Sequence, residues 1–204
     1  MKLHRYIVLG LLLMESNACF AQVAPRQTVE QTALSQTIAQ VEAALNSITT
    51  LKARFRQTDR HGRISTGWFF LERPGKVRFD YDAPSPNLIL SDGKSLLHID
   101  KELKEYSELP RKNPLHLFLH KRISFQTQET RVRKCIRSTR TITFILSALR
   151  EPGTLTLVFD AGTLRLQCWI LEDEDHNRTI INLERCVYGE KLPTHIFKMI
   201  KLPA

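Results

Sequence analysis

The side chains that could do chemistry in this sequence are few, and their spacing does not build a catalyst. His116 and His120 stand four residues apart, which on a helix turns both imidazoles to one side and would suit a metal ion. A metalloprotease helix with this spacing also carries a glutamate between the histidines. Here Leu117, Phe118 and Leu119 intervene, and no third ligand is evident. Asp173, Glu174 and Asp175 form a dense carboxylate run, but they lie between two alternating apolar segments, where a solvated turn collects acidic residues for free. No serine sits in a Gly-x-Ser-x-Gly elbow, no glycine-rich loop opens a helix, and no Cys-x-x-Cys occurs. The reading is therefore no catalytic residue, no metal and no cofactor. A hydrolase working through His116 or His120 is the enzyme alternative.

Charge and the first residues narrow the partners. Lys2, His4 and Arg5 precede an apolar run from Tyr6 to Met14, and Ala18-Cys19-Phe20-Ala21 places small residues at the −3 and −1 positions of a cleavage site. Residues 1–21 read as a signal peptide and residues 22–204 as one exported domain, since no repeat or linker divides them. The apolar run is too short to span a bilayer as a helix. The formal charge is +9, which favours anionic partners. Export argues against nucleic acid, and the cations are strung along strands without exposed aromatics between them, unlike a single-strand binder. Of the cysteines, Cys135, Cys168 and Cys186 remain after cleavage in an oxidising compartment. Cys168 and Cys186 fall on two strands joined by the turn 173–177, so a cross-strand bridge and two buried thiols are both open.

The elements that must position these residues are mostly strands. Gly67 to Lys94 alternates, turns at Arg73-Pro74-Gly75, alternates again and turns at Asp92-Gly93. Val77, Phe79 and Tyr81 share one face, with Lys76, Arg78 and Asp80 on the other. Upstream, Leu34, Ile38, Val41, Leu45 and Ile48 recur every three or four residues from Thr32 to Ile48, the stripe of an amphipathic helix. Leu51 to Thr58 and Ile64 to Leu71 predict strands, and the block Trp68-Phe69-Phe70 predicts burial on both faces. Pro114 opens a short helix over Leu115 to Lys121. Further strands are predicted at 105–109, 123–125, 130–136, 139–146, 153–160, 164–171 and 179–188, with an edge strand at 196–202.

The run Arg73-Pro74-Gly75-Lys76-Val77-Arg78-Phe79-Asp80-Tyr81, the prolines Pro84 and Pro86, Leu88 to Lys94 and then Asn113-Pro114-Leu115 together resemble the LolA family, periplasmic carriers of outer-membrane lipoproteins. The resemblance implies an α+β, mainly β fold: an incomplete, half-open antiparallel β-barrel with an α-helical lid over a hydrophobic cavity. It implies a monomer in the periplasm that takes acylated lipoproteins from an inner-membrane lipoprotein-release complex to an outer-membrane acceptor, with transient membrane-surface contact. Leu45, Val77, Phe79, Tyr81, Leu115, Phe118 and Leu119 are the expected cavity lining. Arg73, at the family's arginine before proline, is the expected lid latch, its rigid fork of donors suiting several carbonyls at once. Val77 stands where well-known members carry an aromatic, which softens or widens the cavity. A lipid-sensing regulator or a carrier of another amphiphile on the same fold is the alternative.

Overall fold

In the computed structural model, residues 26–109, 117, 120–127, 130–148 and 153–199 are described. Helix α1 (Arg26–Ser47) is followed by β1 (Thr50–Thr58), β2 (Ile64–Glu72), β3 (Lys76–Tyr81), β4 (Asn87–Asp92), β5 (Leu96–Asp100) and β6 (Glu105–Glu108). A second run comprises β7 (Thr130–Arg137), β8 (Thr141–Ala148), β9 (Thr154–Asp160), β10 (Leu166–Glu172) and β11 (Arg178–Tyr188), before a 3₁₀ turn at Thr194–Phe197. The strands form one antiparallel sheet in the order β6-β5-β4-β3-β2-β1-β11-β10-β9-β8-β7. Two meanders thus join where β11 returns to pair β1, and among the described residues β6 and β7 are the free edges.

The sheet is strongly curved. Four strand spacings of about 4.8 Å would hold β3 and β10 roughly 19 Å apart in a flat sheet. Yet the rings of Phe79 on β3 and Trp169 on β10 have centroids 6.0 Å apart. The inner face therefore closes on itself around one core, in which Phe55, Phe69, Phe79, Phe144, Phe159 and Trp169 are buried. α1 adds Ile38, Val41 and Leu45 to that core. Each such side chain contributes about 1.5–3 kcal/mol by leaving water, which is what holds the helix against the sheet. The helix begins at Arg26, earlier than its apolar stripe alone predicts.

Gly67 shows how tightly the inner face is built. A Cβ there would lie 2.3 Å from the Asp80 carbonyl oxygen and 2.5 Å from the Phe55 ring, so only glycine lets β2 pass both.

Three sequence expectations need correcting. Trp68-Phe69-Phe70 is not buried on both faces: Phe69 is 2% exposed, but Trp68, on the outer face, is 37% exposed. Strand alternation sends neighbours to opposite sides, and Trp68 is covered in part by Phe70, with centroids 6.2 Å apart, and by the cations of Lys52 and Arg54. Residues 196–199 are not an edge strand either. Leu88, Leu90 and Ile99 face outward from β4 and β5, and the C-terminal run packs over them through Met199. Arg78 fixes this strap by donating to the Ile196 carbonyl at 3.0 Å. Residues 200–202 lie outside the described residues.

Residues 123–125, the third correction, alternate as a strand would but do not pair as one. The connection from β6 to β7 must travel from one free edge of the sheet to the other. Ile123 and Phe125 are buried in the inner-face core, so this part of the connection lies against the inner face. Its backbone is satisfied by side chains of α1 instead of a neighbouring strand. Of the two states left open for Cys168 and Cys186 the structure has the thiols: the three described cysteines are free. Cys168 lies opposite Asn182, which leaves Cys186 about 13 Å further along at a strand rise near 3.3 Å per residue. A bridge needs Cα atoms closer than about 7 Å.

Candidate functional site

The densest polar constellation bordering the core lies where the β2–β3 turn meets the end of α1. The turn owes its shape to a cis bond before Pro74 and to Gly75 at φ +85°. It projects Arg73 toward the helix. The Arg73 guanidinium donates to the Leu45 carbonyl at 2.8 Å and to Asn46 Oδ1 at 3.1 Å. It also donates to the carbonyls of His120 and Lys121, both at 3.0 Å. Carbonyls in the last turn of a helix lack an intrahelical donor, so an arginine there fills a need the helix itself creates. No carboxylate faces the guanidinium in these contacts, and burial pulls its pKa down from the ordinary value.

Two helix residues extend the web. Asn46 accepts from the Ile123 amide and donates to the Ile123 carbonyl, each at 2.8 Å. Glu42, one turn earlier, accepts from the Phe125 amide at 2.6 Å and the Ser124 hydroxyl at 3.1 Å. Residues four apart share a helix face, so Glu42 and Asn46 grip one segment. Arg73 thus ties the sheet rim to α1 and to residues 120–121 simultaneously, while α1 holds residues 123–125.

Beneath this web lie four of the expected lining residues. Leu45, Val77 and Phe79 are 1–3% exposed and Tyr81 is 9% exposed. They share one core with Phe55, whose ring meets Phe79 and Tyr81 edge-on at 5.4 and 5.0 Å. The Tyr81 hydroxyl donates to Gln57 Oε1 at 2.8 Å, and burial pushes its pKa up to about 12. Here side chains fill the space between helix and strands. Leu115, Phe118 and Leu119 lie outside the described residues. A cavity of about 310 Å³ is found elsewhere, at the corner of α1 and β1, between Ile48, Thr50, Leu164 and Tyr188.

The chemistry-bearing residues of the sequence do not assemble. His116 lies outside the described residues, and His120 contributes its carbonyl to Arg73. Asp173 caps its own turn, accepting from the amides of Asp175 and Asn177 at 3.0 and 2.9 Å. Among the described residues no three His, Cys, Asp or Glu side chains gather as a metal site would require.

Residues 46–200 match the family described as outer membrane lipoprotein carrier protein LolA. The chain belongs to the LolA family. Two curated relatives, both described as outer-membrane lipoprotein carrier proteins, agree with LolA membership. One, from Alkalilimnicola ehrlichii, is 40% identical over 65 residues, 29% of this chain and 30% of the relative. The other, from Methylococcus capsulatus, is 33% identical over 106 residues, 50% of this chain and 45% of the relative. These matches span 30% and 45% of the two relatives' lengths. A crystal structure of an uncharacterized conserved protein from Thermus thermophilus superposes with a TM-score of 0.51 at 11% identity, covering 82% of this chain and 94% of that one. It shares the fold. The Arg73-Pro74 turn and the residues that Arg73 bonds, apart from Leu45, fall within the LolA match.

Glu42 and Asn46 escaped the sequence reading, which named only the apolar positions of the helix. Their i, i+4 spacing beside Leu45 was the available signal. Phe55 and Trp169 were also passed over as neighbours of Phe79, because which strands touch across a curled sheet is not written in any local period.

Proposed function

We propose that this chain is a periplasmic carrier that shields the acyl chains of lipoproteins between an inner-membrane release complex and an outer-membrane acceptor. The observation that carries the reading is the Arg73 web, in a member of a family named for lipoprotein carriage. α1 and residues 120–125 cover the apolar inner face of the sheet, and they are held there by a compact set of hydrogen bonds centred on one side chain. A cover held by these bonds and by the apolar stripe of α1 opens for a free energy on the order of 10 kcal/mol, which burial of acyl chains can supply.

In this mechanism the described arrangement is the closed, empty state. Acyl chains enter between α1 and the inner face, where Leu45, Val77, Phe79 and Tyr81 form the floor and edge, as Arg73 releases its carbonyls. Return of Arg73 to those carbonyls favours the empty state and so drives cargo onward. No covalent step is required. The experiment is native mass spectrometry of the protein purified from its own host. Co-purified acylated protein supports the carrier; free lipid alone assigns the fold to another amphiphile; bound zinc at a hydrolytic site overturns both.

A further inference from the structure

β7 is the last strand at one edge of the sheet, and its composition is one-sided. It carries Arg131, Arg133, Lys134 and Arg137, with Arg140 following in the turn to β8, and all five are exposed. No aspartate or glutamate occurs between Thr130 and Ser147. Arg133 donates to the Ser147 hydroxyl at 2.7 Å. None of the five is ion-paired with a described carboxylate, in contrast to the strands of the other meander, where Arg54 meets Asp82, Lys76 meets Glu72, and Arg78 and Lys101 share Asp80. Part of the +9 surplus is therefore concentrated, uncompensated, along one free edge.

Charged side chains on a free edge discourage pairing with a second copy, and the register shift between Val132 and Lys134 breaks the ladder to the same effect. An added strand is thus a poor occupant. What the edge offers is a line of long, flexible cations with one apolar residue among them, Ile136, 44% exposed. We propose that this edge rests on an anionic lipid surface, Arg131, Lys134, Arg137 and Arg140 meeting headgroup phosphates while Ile136 reaches the boundary below them. A headgroup layer is fluid and accepts a line of charge from a strand whose side chains fan to both sides. A folded acidic protein would need those charges on one face.

The inference deepens the carrier reading, which implies a transient membrane-surface contact, by assigning that contact to one edge and one lipid chemistry, and it is tested without cargo. Purified protein is floated with phosphatidylcholine vesicles and with equal mixtures of phosphatidylcholine and phosphatidylglycerol. Binding to the mixed vesicles only, falling steeply as salt rises, is expected. Each basic residue near such a surface is worth about fivefold in partitioning. The variant R131Q/K134Q/R137Q should therefore bind about a hundredfold less, whereas R60Q/K94Q/K104Q, which loses the same charge at exposed sites elsewhere, keeps most of its binding. Matching circular dichroism and melting of both variants guards against misfolding. Equal loss in the two variants, or binding indifferent to phosphatidylglycerol, overturns the assignment. So does retention on immobilised polyglutamate with no vesicle binding, which would point to an acidic protein instead.

Discussion

Replacing Arg73 with leucine removes all four bonds that join the sheet rim to α1 and to residues 120–121. A hydrogen bond to a charged donor contributes about 1.5–3 kcal/mol when buried and less when water can replace it. The His120 and Lys121 carbonyls sit at an exposed site, and the Leu45 carbonyl retains a second donor, the Ile48 amide at 3.3 Å. The four bonds together then favour the closed arrangement by roughly 2–4 kcal/mol, about 30- to 1000-fold in the opening equilibrium. Hydrogen exchange reads this locally. The amides of Ile123 and Phe125, bonded to Asn46 and Glu42, should exchange at least about 30-fold faster in Arg73→Leu, while inner-face strand amides at Phe144 and Leu157 keep wild-type rates. Arg73→Lys, with a single ammonium in place of the fork, should fall between. In a reconstituted transfer assay Arg73→Leu should load and then retain its cargo. Unchanged exchange at Ile123 and Phe125, or a uniform rise over the whole sheet, would refute the role given to Arg73.

Asp82 is held by the Arg54 guanidinium and by the Thr66 hydroxyl at 2.5 Å, which pull its pKa down to about 2. Its contribution is present above the ordinary carboxylate range and is lost as pH falls through 4 toward 2. Discounted for solvent exposure, Asp82→Asn should cost about 1 kcal/mol in denaturant melts at neutral pH, with the gap closing by pH 2. Gly67→Ala should destabilise by about 2–4 kcal/mol in the same assay, because its Cβ meets backbone and the Phe55 ring; a loss under 1 kcal/mol would show that β2 shifts at little cost. Thiol titration in denaturant should find Cys135, Cys168 and Cys186 all free. In the folded protein they should react slowly, since burial raises all three thiol pKa values.

What the sequence made legible was local. Val77, Phe79 and Tyr81 share a buried face because strand alternation is a property of neighbouring residues, and the turn at Arg73-Pro74-Gly75 is encoded by its own residue types. The failures share a cause. Residues 123–125 have a strand's alternation, but their partners are helix side chains some eighty positions earlier. Trp68 and Phe69 are adjacent and equally apolar, so composition hid that one faces out, and the C-terminal run gave no sign that Leu88 and Leu90 needed cover. Arg73 alone reads as a solvated turn residue beside Glu72. Only the resemblance to LolA proteins drew attention to it, because its acceptors lie 27 to 48 positions away.

The packed interior sets the terms on which a carrier of this build would exchange cargo. Lifting α1 exposes Ile38, Val41 and Leu45, at about 1.5–3 kcal/mol each, and breaks the Arg73 bonds as well. Opening then costs on the order of 10 kcal/mol. Transferring one acyl chain of about sixteen carbons out of water returns a similar amount at ~0.8 kcal/mol per methylene, before any loss of chain freedom. On the carrier reading, a single chain is close to balance and a second or third tips it, so the closed core discriminates by acyl number without reading the protein attached. Phe79 and Phe55, packed edge-on against each other and against Tyr81, are then both the floor for cargo and the side chains that re-form the core when it leaves. The same contacts that stabilise the empty state set how readily it takes up a load and how completely it gives it up.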